Sequence, residues 1–446
     1  MAGVPLIVAS PGATLAWRNG RPVSAAQFLA DAKRLAARLP ARSHVLNACG
    51  ERYRFALGLV AALLRGQVTL LPPDHKSRTL ERLRQYADDV YMLADTPEVS
   101  AALPRVEAAD DPAPVDEHVP SPEIPPDRLC AVVFTSGSTG LPVPNRKTWG
   151  ALERSVRAAL GLWGLAPARP AILGTVPPQH MYGFESTVLG PLFGGGALCA
   201  ERPFFAEEVA ESLDRLPRPR VLVSTPFHLR TVLEGAARVP PADLLLCATA
   251  PLDAELARLA EARFGARLLE IYGCTETGQM ASRRTARDDT WHAFPGVSVE
   301  LRADGRAWAS GGHIDSPTPL GDVIEPLAPE RFLLRGRHAD MINIAGKRSS
   351  LAHLQAQLLG IEGVVDGVFY MPADAPDGGV ARLAAFVVAP GLTREAVLAA
   401  LRERVDAAFL PRPLVLLERL PRATTGKLPQ EALRTLAREH GVEAAA

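Results

Sequence analysis

The sequence lacks the marks of a membrane, nucleic-acid-binding or secreted protein. Its 49 acidic and 49 basic residues cancel, so no overall field attracts nucleic acid or an anionic membrane surface. The apolar run from Phe55 to Leu64 is ten residues long. It is too short to span a bilayer and predicts a buried helix. The N-terminus has no charged segment followed by a long apolar run, so no secretion signal is expected.

Cysteine is rare and shows no pairing pattern. The five cysteines form no CxxC pair and no metal-ligand spacing with histidine. This predicts reduced core thiols in the cytoplasm, and Cys274 is expected to pack rather than react. The motifs GxxxxGK[ST], GxGxxG, GxSxG and HExxH do not occur. Their absence disfavours the phosphate loop of strand–loop–helix NTPases and the dehydrogenase, hydrolase and metalloprotease sites that the other motifs mark.

Lysine is scarce as well, because only five of the 49 basic residues are lysines. Three of the five, Lys147, Lys347 and Lys427, lie in short segments that contain glycine. Lysine is a point charge on a flexible stem that can follow a phosphate, whereas the planar fork of arginine fixes one geometry. The placement of these three lysines therefore indicates anion-binding loops.

A chain of 446 residues can form two or more domains. From Leu129 to Tyr272, strands and helices alternate, which predicts parallel strands with crossover helices. After Arg337 a smaller module of strands and helices is predicted. The predicted strands are 129–134, 171–176, 221–224, 244–247, 268–272, 364–371 and 383–388. The predicted helices are 23–39, 52–64, 151–160, 184–193, 229–233, 253–264, 351–359 and 394–409.

A loop rich in glycine and hydroxyl groups follows the first of these strands. It runs from Thr135 to Gly140, directly after the apolar residues Val132 to Phe134. Such a loop lets the backbone approach an anion and supplies hydroxyl donors. The alternative is a flexible connection, but linkers of that kind seldom follow a buried strand. The segment is interpreted as a phosphate-binding loop.

A second loop, Tyr272 to Gly278, is predicted at the carboxyl end of another strand, where open parallel sheets bind ligands. An aromatic ring (Tyr272), a hydroxyl (Thr275) and a carboxylate able to hold Mg²⁺ (Glu276) lie within five residues. Alone, the loop could equally be the start of a helix capped by Thr275. Together with the first loop it indicates a nucleotide site.

Four further segments allow two interpretations each. Gly321-Asp322 is either a turn or an acid that binds a ribose diol. The basic segment from Arg335 to Arg348 is a solvated face or a ribose and phosphate site. The segment from Pro421 to Lys427 is a surface turn or a loop that brings a cation to the reaction. His180 is a structural histidine or a residue of a substrate pocket.

In their order along the chain, these motifs resemble those of the AMP-forming adenylating enzymes. This superfamily includes acyl- and aryl-CoA synthetases, nonribosomal peptide adenylation domains and firefly luciferase. Thr135 to Pro142 is similar to its phosphate-binding signature, and Tyr272 to Gly278 to its adenine and Mg²⁺ motif. Gly336 to Arg348 is similar to its interdomain hinge, and Pro421 to Lys427 to the loop with its catalytic lysine. The resemblance spans roughly residues 20 to 435.

The resemblance implies an α/β fold. It predicts a large N-terminal domain of mixed and parallel sheets with flanking helices, residues 1–337. It also predicts a small mobile α+β C-terminal domain, residues 338–446, that carries the catalytic lysine. The pivot between them is expected at Ala339 or Asp340.

The resemblance also implies roles for the matching residues. Those expected in catalysis are Lys427, Thr275, Glu276 and His180, with Glu276 as the ligand of Mg²⁺. Those expected to bind ATP are Thr135, Ser136, Gly137, Ser138, Thr139, Gly140, Lys147, Tyr272, Gly273, Asp322, Arg337 and Arg348. Those expected to line the acid pocket are His180, Tyr182, Gly183, Phe184, Phe227, Ala250, Cys274 and Met280.

The sequence departs from the family pattern at three points. Val143 lies where many members have a lysine, and Lys147 is the nearest candidate to replace it. The hinge segment reads Arg337-His338-Ala339-Asp340, so the acid falls one position later than usual. The N-terminal domain is shorter than that of a typical synthetase.

The implied reaction is ATP-dependent activation of a carboxylic acid, of an aromatic or short acyl type, to an acyl-adenylate with release of pyrophosphate. Transfer to a thiol follows. The short N-terminal domain favours the phosphopantetheine of an acyl carrier protein as acceptor, and free CoA is the alternative. A nucleotide-binding pseudoenzyme is a further hypothesis, supported by Val143 and the altered hinge. No nucleic-acid or membrane partner is expected.

Overall fold

A computed structural model describes residues 3–96, 103–109, 120–136, 142–165, 168–235, 238–337, 341–344, 347–372, 382–422 and 428–443. The chain divides into two compact units. The first comprises Met1–Ala248, Ala254–Ser298 and Ala309–Thr318; the second comprises Thr249–Asp253, Val299–Trp308 and Pro319–Ala446. The domain boundary predicted at residues 337 and 338 stays a prediction.

The first unit contains a six-stranded sheet. Its strands, in spatial order, are Pro142–Thr148, Leu129–Ser136, Val68–Leu71, His44–Asn47, Tyr91–Ala94 and Arg105–Glu107. Neighbours run parallel except for the first two strands, which form an antiparallel hairpin with Pro142 opposite Ser136. Tyr91–Ala94 is buried at every position, which is typical of a parallel strand covered on both faces.

Nine strands of the same unit lie in a second sheet. In spatial order they are Trp291–Ala293, Gly278–Arg283, Arg267–Cys274, Leu244–Cys247, Arg220–Ser224, Ala171–Gly174, Ala197–Cys199, Thr14–Arg18 and Arg21–Ser24. The six strands from Arg267–Cys274 to Thr14–Arg18 are parallel. The pairs outside them are antiparallel.

The strand order of the second sheet reverses at Ala171–Gly174. Ala197–Cys199, which follows in the chain, lies on one side of it, and the later strand Arg220–Ser224 lies on the other. Open α/β sheets bind ligands outside the carboxyl ends of strands at such a switch point. Thr175 and Thr225 follow these strand ends directly, so they mark the carboxyl edge at the switch point.

Helices connect and flank these strands. In chain order they are Ala25–Arg38, Arg52–Leu64, Ser77–Tyr86, Trp149–Trp163, Met181–Gly183, Gly190–Leu192, Ala206–Arg215, Pro226–Gly235 and Ala254–Phe264. A π-helical segment, Phe184–Leu189, joins Met181–Gly183 to Gly190–Leu192 in one continuous helix. The predicted buried helix is present as Arg52–Leu64, in which Phe55 is completely buried in the core. The remaining strands that precede Asp322 in the chain are Val4–Pro5, Glu123–Ile124, Val297–Leu301, Ala307–Gly311 and Ile314–Pro319.

Arg52, the first residue of its helix, is buried and joins several elements of the first unit by hydrogen bonds. Its guanidinium donates to the carbonyl oxygens of Gly174, Val176, Cys199 and Glu201 at 2.7–3.0 Å. Its Nε donates to Thr187 Oγ1 at 3.0 Å. All five N–H groups of a guanidinium are therefore satisfied without an acid. Arg52 thereby fixes the start of its helix against the ends of two neighbouring strands of the second sheet.

The strands from Asp322 onward lie in the second unit. Asp322–Ala328 pairs antiparallel with Arg331–Arg337, and Met341–Ile344 with Lys347–Ser350. Asp366–Tyr370 is antiparallel to Ala384–Val388, which is parallel to Leu414–Leu416. The helical segments are Leu351–Leu359, Arg394–Arg402, Ala407–Phe409 and Gln430–Glu439.

Both faces of the three-stranded sheet are covered by apolar side chains. Phe369 on one face lies in a cluster with Leu358 and Leu401, and the next residue, Tyr370, lies in a cluster with Ala437. Because alternate residues of a strand point to opposite faces, this pattern places helices on both sides. An α+β module was predicted here.

The sequence reading missed the strands that follow both predicted loops. Pro142–Thr148 and Gly278–Arg283 each return antiparallel to the preceding strand, so both loops connect the strands of a hairpin. The alternative of a helix capped by Thr275 is therefore wrong, because a strand follows the turn. Proline and glycine are poor strand formers, so Pro142, Pro144 and Gly278 gave these segments no strand signal in the sequence. Within the described ranges, none of the helices has the length and apolarity needed to cross a membrane.

Candidate functional site

The hairpin turn after Arg267–Cys274 carries the predicted adenine and Mg²⁺ motif. The strand ends at Cys274, residues 275–277 form the turn, and Gly278 begins the return strand with a φ of 75°. A Cβ on Gly273 would lie 2.1 Å from the carbonyl oxygen of Gly278. The two strands thus approach so closely that both glycines are required.

The turn is held internally by Thr277. Its Oγ1 accepts from the backbone N–H of Cys274 at 3.4 Å and donates to the carbonyl oxygen of Gly278 at 2.9 Å. The Sγ of Cys274 lies 3.2 Å from the same hydroxyl. Burial raises the pKa of Cys274 to about 11, so the side chain is a neutral thiol. This agrees with the interpretation of Cys274 as a packing residue.

Three side chains from other segments also hold this turn. Lys147 Nζ donates to the backbone carbonyl of Glu276 at 3.0 Å. His313 Nε2 lies 3.1 Å from the carbonyl oxygen of Thr277. Burial lowers the pKa of His313 to about 4, so the ring is neutral and Nε2 donates its proton. On the return strand, the N–H of Gln279 donates to Glu185 Oε2 at 3.0 Å.

Glu185 lies in the π-helical segment and is only 2% exposed. Burial is the main cause that raises its pKa to about 7, against the effect of nearby Lys147 and of two hydrogen bonds. One of these comes from Ser155, whose Oγ lies 2.7 Å from Glu185 Oε1. A Cβ on Gly278 would lie 2.7 Å from the same Oε1. The carboxyl group is thus packed directly against the start of the return strand.

Lys147 lies within the first hairpin, opposite Ala131, rather than beside the predicted phosphate-binding turn. Five residues of extended chain separate it from Pro142, roughly 17 Å along the strand. It is 8% exposed, and burial lowers the pKa of its ammonium. The contact that the structure gives this ammonium is with Glu276. Its predicted contact with phosphate stays a prediction.

Among the remaining ATP-binding candidates, Tyr272 is 9% exposed and its ring packs against Trp291 with centroids 5.4 Å apart. Thr135 lies in Leu129–Ser136, opposite Val143, which is 48% exposed. In the second unit, Asp322 is buried and its Cα partner across the antiparallel pair is Arg337. Arg348 lies in Lys347–Ser350. Their contacts with a nucleotide stay predictions.

The residues predicted to line the acid pocket differ in exposure. Phe184 and Met280 have no exposed surface, and Phe184 packs edge to face against Phe55. Phe227 is 36% exposed. His180 precedes the helix Met181–Gly183, and its carbonyl accepts from Phe184 N–H. The others are Tyr182 and Cys274, which are partly buried, Gly183, which is buried, and Ala250, which is exposed in the second unit.

Several predicted residues lie outside the described residues. These are Gly137, Ser138, Thr139 and Gly140 of the first loop, the hinge residues Ala339 and Asp340, and Lys427. Their roles stay predictions.

The donor set at the turn fits a divalent cation that is bound mainly by a substrate. Glu276 is exposed and offers carboxylate oxygens, the ligands that Mg²⁺ prefers. Within the described part of the chain, no group of three or more His, Cys, Asp or Glu residues could hold a metal ion. Mg²⁺ commonly binds through one or two carboxylates together with substrate phosphates. A single carboxylate therefore suits Mg²⁺ delivered with a nucleotide.

Sequence reasoning missed Glu185, Ser155 and His313, and gave Lys147 a different role. A signal for Glu185 was present: it is the only acidic residue between Glu153 and Glu201. A lone carboxylate in an apolar helix is seldom buried without a purpose. Ser155 and His313 carry no such signal, because only the fold brings them to the turn.

Comparisons with known proteins agree with these observations. A model of the family described as AMP-binding enzyme matches residues 8–304. A 4-coumarate–CoA ligase from Rhodobacter capsulatus is 31% identical over 282 residues, which are 63% of this chain and 68% of that protein. A 2-hydroxy-7-methoxy-5-methyl-1-naphthoate–CoA ligase from Streptomyces carzinostaticus is 26% identical over 378 residues, 74% of this chain and 66% of that protein.

The fold is also that of solved structures. ATP-bound MatB from Rhodopseudomonas palustris matches 97% of each chain with a TM-score of 0.80 at 20% identity. At this identity the likeness concerns the fold alone. The predicted fold class, α/β with a large N-terminal and a small C-terminal domain, is confirmed.

Proposed function

Because the chain belongs to the AMP-binding enzyme family and is thus an AMP-forming acid–thiol ligase, we propose that it activates an aromatic carboxylic acid with ATP and transfers the acyl group to the thiol of CoA. The family and the resemblance of the motifs support the activation step. The aromatic acid and CoA as acceptor are supported by the names of the two ligases above, one for coumarate and one for a naphthoate.

The observation that carries the proposal is the contact between the two motif hairpins. Lys147 comes from the hairpin whose strands flank the phosphate-binding signature, and it bonds the carbonyl of Glu276 in the other hairpin at 3.0 Å. These residues are 129 positions apart in the chain. A strand that flanks the first motif is thus in contact with the turn of the second motif in the first unit.

In the proposed first step, a carboxylate oxygen of the acid attacks the α-phosphorus of ATP. The bond between the α-phosphorus and the bridging oxygen breaks, and pyrophosphate leaves. An anion must approach a polyanion here, so preorganised donors and cations are required, and one such group is commonly worth about 3 kcal/mol. Thr135 to Gly140 would donate to the phosphates, and Lys427 would bridge the acid and the α-phosphate.

The other residues would orient the nucleotide. The ring of Tyr272 would stack on adenine, and Asp322 with Arg337 would bind the ribose. Glu276 would hold Mg²⁺, which neutralises charge on the phosphate oxygens when bound. In the second step the thiol sulfur attacks the acyl carbonyl carbon, a thioester forms and AMP leaves. Removal of Lys427 by rotation about Ala339 or Asp340 would make room for this thiol.

The test is a panel of acids with the whole chain. ATP–pyrophosphate exchange would be measured with coumarate, salicylate and benzoate, and with acetate, malonate and octanoate as the non-aromatic set. Exchange that is at least tenfold faster with an aromatic acid is expected. Preference for a non-aromatic acid would overturn the substrate class. If calorimetry shows that ATP binds but none of the acids supports exchange, the result would favour a pseudoenzyme.

The acceptor is tested in the same reaction. The active acid would be incubated with CoA or with a holo acyl carrier protein, the acceptor favoured by the sequence alone. Both present the same phosphopantetheine thiol, so the chemistry of transfer is identical. Acyl-CoA by chromatography is expected. A mass gain confined to the carrier protein would overturn CoA as the acceptor.

A further inference from the structure

The Thr275–Thr277 turn is held from outside by ionisable side chains of three distant segments. Lys147 bonds Glu276 O, and His313 bonds Thr277 O. Glu185 accepts from the N–H of Gln279, two residues after the turn, and its Oε1 faces Gly278. Besides its internal hydrogen bonds, the hairpin therefore has external bonds to two turn residues, Glu276 and Thr277, and to Gln279 on the return strand.

Burial of the three side chains that make these contacts lowers the stability of the folded protein. Lys147, Glu185 and His313 are 8%, 2% and 5% exposed. Taking an ionisable group out of water is unfavourable, and a buried charge is weak evidence for stability. Among the residues that the structure describes, no salt bridge joins Glu185 to a base, although the Lys147 charge attracts it from a longer distance. The Lys147 ammonium itself bonds a backbone carbonyl rather than an acid. A set of buried ionisable groups that stabilises little is explained better by a requirement for position.

We propose that Lys147, Glu185 and His313 are positioning residues that fix the Thr275–Thr277 turn and thereby aim the Glu276 carboxylate and the Tyr272 ring at the nucleotide. This rests on the proposed function, in which both groups bind ATP. Lys147 and His313 hold the carbonyl groups of two successive residues, Glu276 and Thr277. Glu185, whose Oε1 lies 2.7 Å from Ser155 Oγ, holds the amide of Gln279, the second residue of the return strand.

The arrangement fixes the backbone while leaving the functional side chain exposed. Both carbonyl groups and the Gln279 N–H are held by side chains of Pro142–Thr148, Phe184–Leu189 and the segment of His313. The Glu276 side chain is exposed. A carboxylate on a rigid backbone loses less entropy when it binds a metal–nucleotide complex. Loss of a fastening should therefore weaken ATP binding specifically and leave the acid site intact.

The first experiment uses Lys147→Met, which removes the ammonium and keeps the length of the side chain. Lys33→Met is the matched control, because Lys33 is exposed on the helix Ala25–Arg38. Amide hydrogen exchange would be followed by mass spectrometry in peptides that cover Thr275–Thr277, with peptides of Leu244–Cys247 as reference. We expect exchange of the turn amides to speed at least tenfold in Lys147→Met and not in Lys33→Met, with the reference peptides unchanged.

Ligand measurements on the same variants separate positioning from general damage. In Lys147→Met the calorimetric Kd for ATP should rise about five- to tenfold, while the KM of the acid changes less than twofold. The melting temperature should not fall below that of Lys33→Met, because an apolar side chain replaces a desolvated charge. Equal turn exchange in both variants would overturn the proposal. So would a lower melting temperature accompanied by equal losses for ATP and acid.

A pair of Glu185 variants tests the second fastening. In Glu185→Gln the amide oxygen can still accept from the Gln279 N–H, whereas Glu185→Leu has a similar volume and cannot. Turn exchange and ATP affinity should be near wild type in Glu185→Gln and altered in Glu185→Leu. Equal behaviour of the two variants would overturn the role of Glu185. Failure of wild type to turn over any acid would count against the proposed function, and the hydrogen-exchange result would still decide the fastening.

Discussion

The hairpin formed by Arg267–Cys274 and Gly278–Arg283 is held by ionisable side chains at both ends, but in different ways. At the open end, Glu270 and Arg283 face each other across the two strands and form an ion pair at 2.8 Å. Thr285 donates to the same carboxylate at 2.6 Å, and the Arg283 guanidinium lies 4.6 Å from the Trp291 ring centre. At the turn, Lys147, Glu185 and His313 bond to the backbone.

The difference indicates which end of the hairpin contributes to stability and which to ligand binding. At the open end a buried acid and base are matched, so each charge compensates the other and the end is held for stability. At the turn the ionisable groups are bonded to carbonyl and amide groups, so opposite charge offsets their desolvation only through the longer-range attraction between Lys147 and Glu185. Stability should therefore depend on the open end, and nucleotide binding on the turn. Four substitutions test this contrast.

The largest expected effect is the loss of stability in Arg283→Met. It leaves Glu270, whose side chain is 6% exposed, without its counter-charge. Removal of one partner of a buried ion pair costs about 3–5 kcal/mol. Urea denaturation should show this loss, whereas Arg238→Met at an exposed pair, with side chains 73% and 42% exposed, should lose less than about 1 kcal/mol. Equal losses in the two variants would remove the contrast.

The next effect is on the pH dependence of stability and involves Glu185→Gln. Burial raises the pKa of Glu185 from 4.5 to about 7, so the folded protein binds this proton more tightly than the unfolded chain does. Its stabilising contribution is full below pH 4.5 and is lost as the pH rises through about 7. Over this range the unfolding free energy of wild type should fall by up to about 3 kcal/mol relative to Glu185→Gln.

The measurement is urea denaturation at intervals between pH 4.5 and 8. Glu211→Gln is the control, because the Glu211 side chain is 70% exposed. Its stability should follow that of wild type at every pH. Parallel curves for wild type and Glu185→Gln would show that this carboxyl group ionises normally in the folded protein.

The third expected effect is on activity, in Glu276→Ala. The side chain is exposed, so its removal should leave the unfolding free energy within about 0.5 kcal/mol of wild type. If the carboxylate holds the metal–nucleotide complex, ATP–pyrophosphate exchange should fall about a hundredfold, which corresponds to about 2.7 kcal/mol. Exchange rates within threefold of wild type would exclude this role and separate the turn from the reaction.

The smallest expected effect is that of Ser155→Ala. It removes the hydroxyl 2.7 Å from Glu185 Oε1 and should cost about 1 kcal/mol of unfolding free energy. Without this hydrogen bond, which lowers the pKa of Glu185, the midpoint of the pH effect described above should move to higher pH. An unchanged midpoint would mean that the hydroxyl does not orient the carboxyl group.

Much of the fold and part of the site could be predicted from local sequence pattern. The apolar helix Arg52–Leu64 and the buried strand Leu244–Cys247 follow from hydrophobic runs and are present. The Tyr272 to Gly278 loop was recognised because its residues are contiguous. Pro142–Thr148 escaped prediction, because its stability comes from pairing with Leu129–Ser136 and not from its own strand propensity.

The side chains around the turn could not be predicted for a related reason. Ser155, Glu185 and His313 are separated from Glu276 by tens of residues or more, and only Glu185 has a distinctive local sequence, as a lone carboxylate in an apolar helix. Their meeting depends on how the helix Trp149–Trp163, the π-helical segment and the turn before Ile314–Pro319 pack around the second sheet. The nearest lysine to Val143 was likewise assigned by sequence distance, whereas the direction of a strand side chain decides what Lys147 contacts.

The five hydrogen bonds of Arg52 restrict where a ligand can enter the second sheet. Four of them occupy carbonyl groups at or just beyond the ends of Ala171–Gly174 and Ala197–Cys199. On that side of the switch point these backbone acceptors are already bonded to the Arg52 guanidinium. A ligand that needs free backbone acceptors at the carboxyl edge is therefore expected on the other side of Ala171–Gly174, toward Ser224 and Cys247, which is also the side of the Glu276 hairpin. One arginine at the start of a helix thus decides on which side of Ala171–Gly174 a ligand is expected to bind.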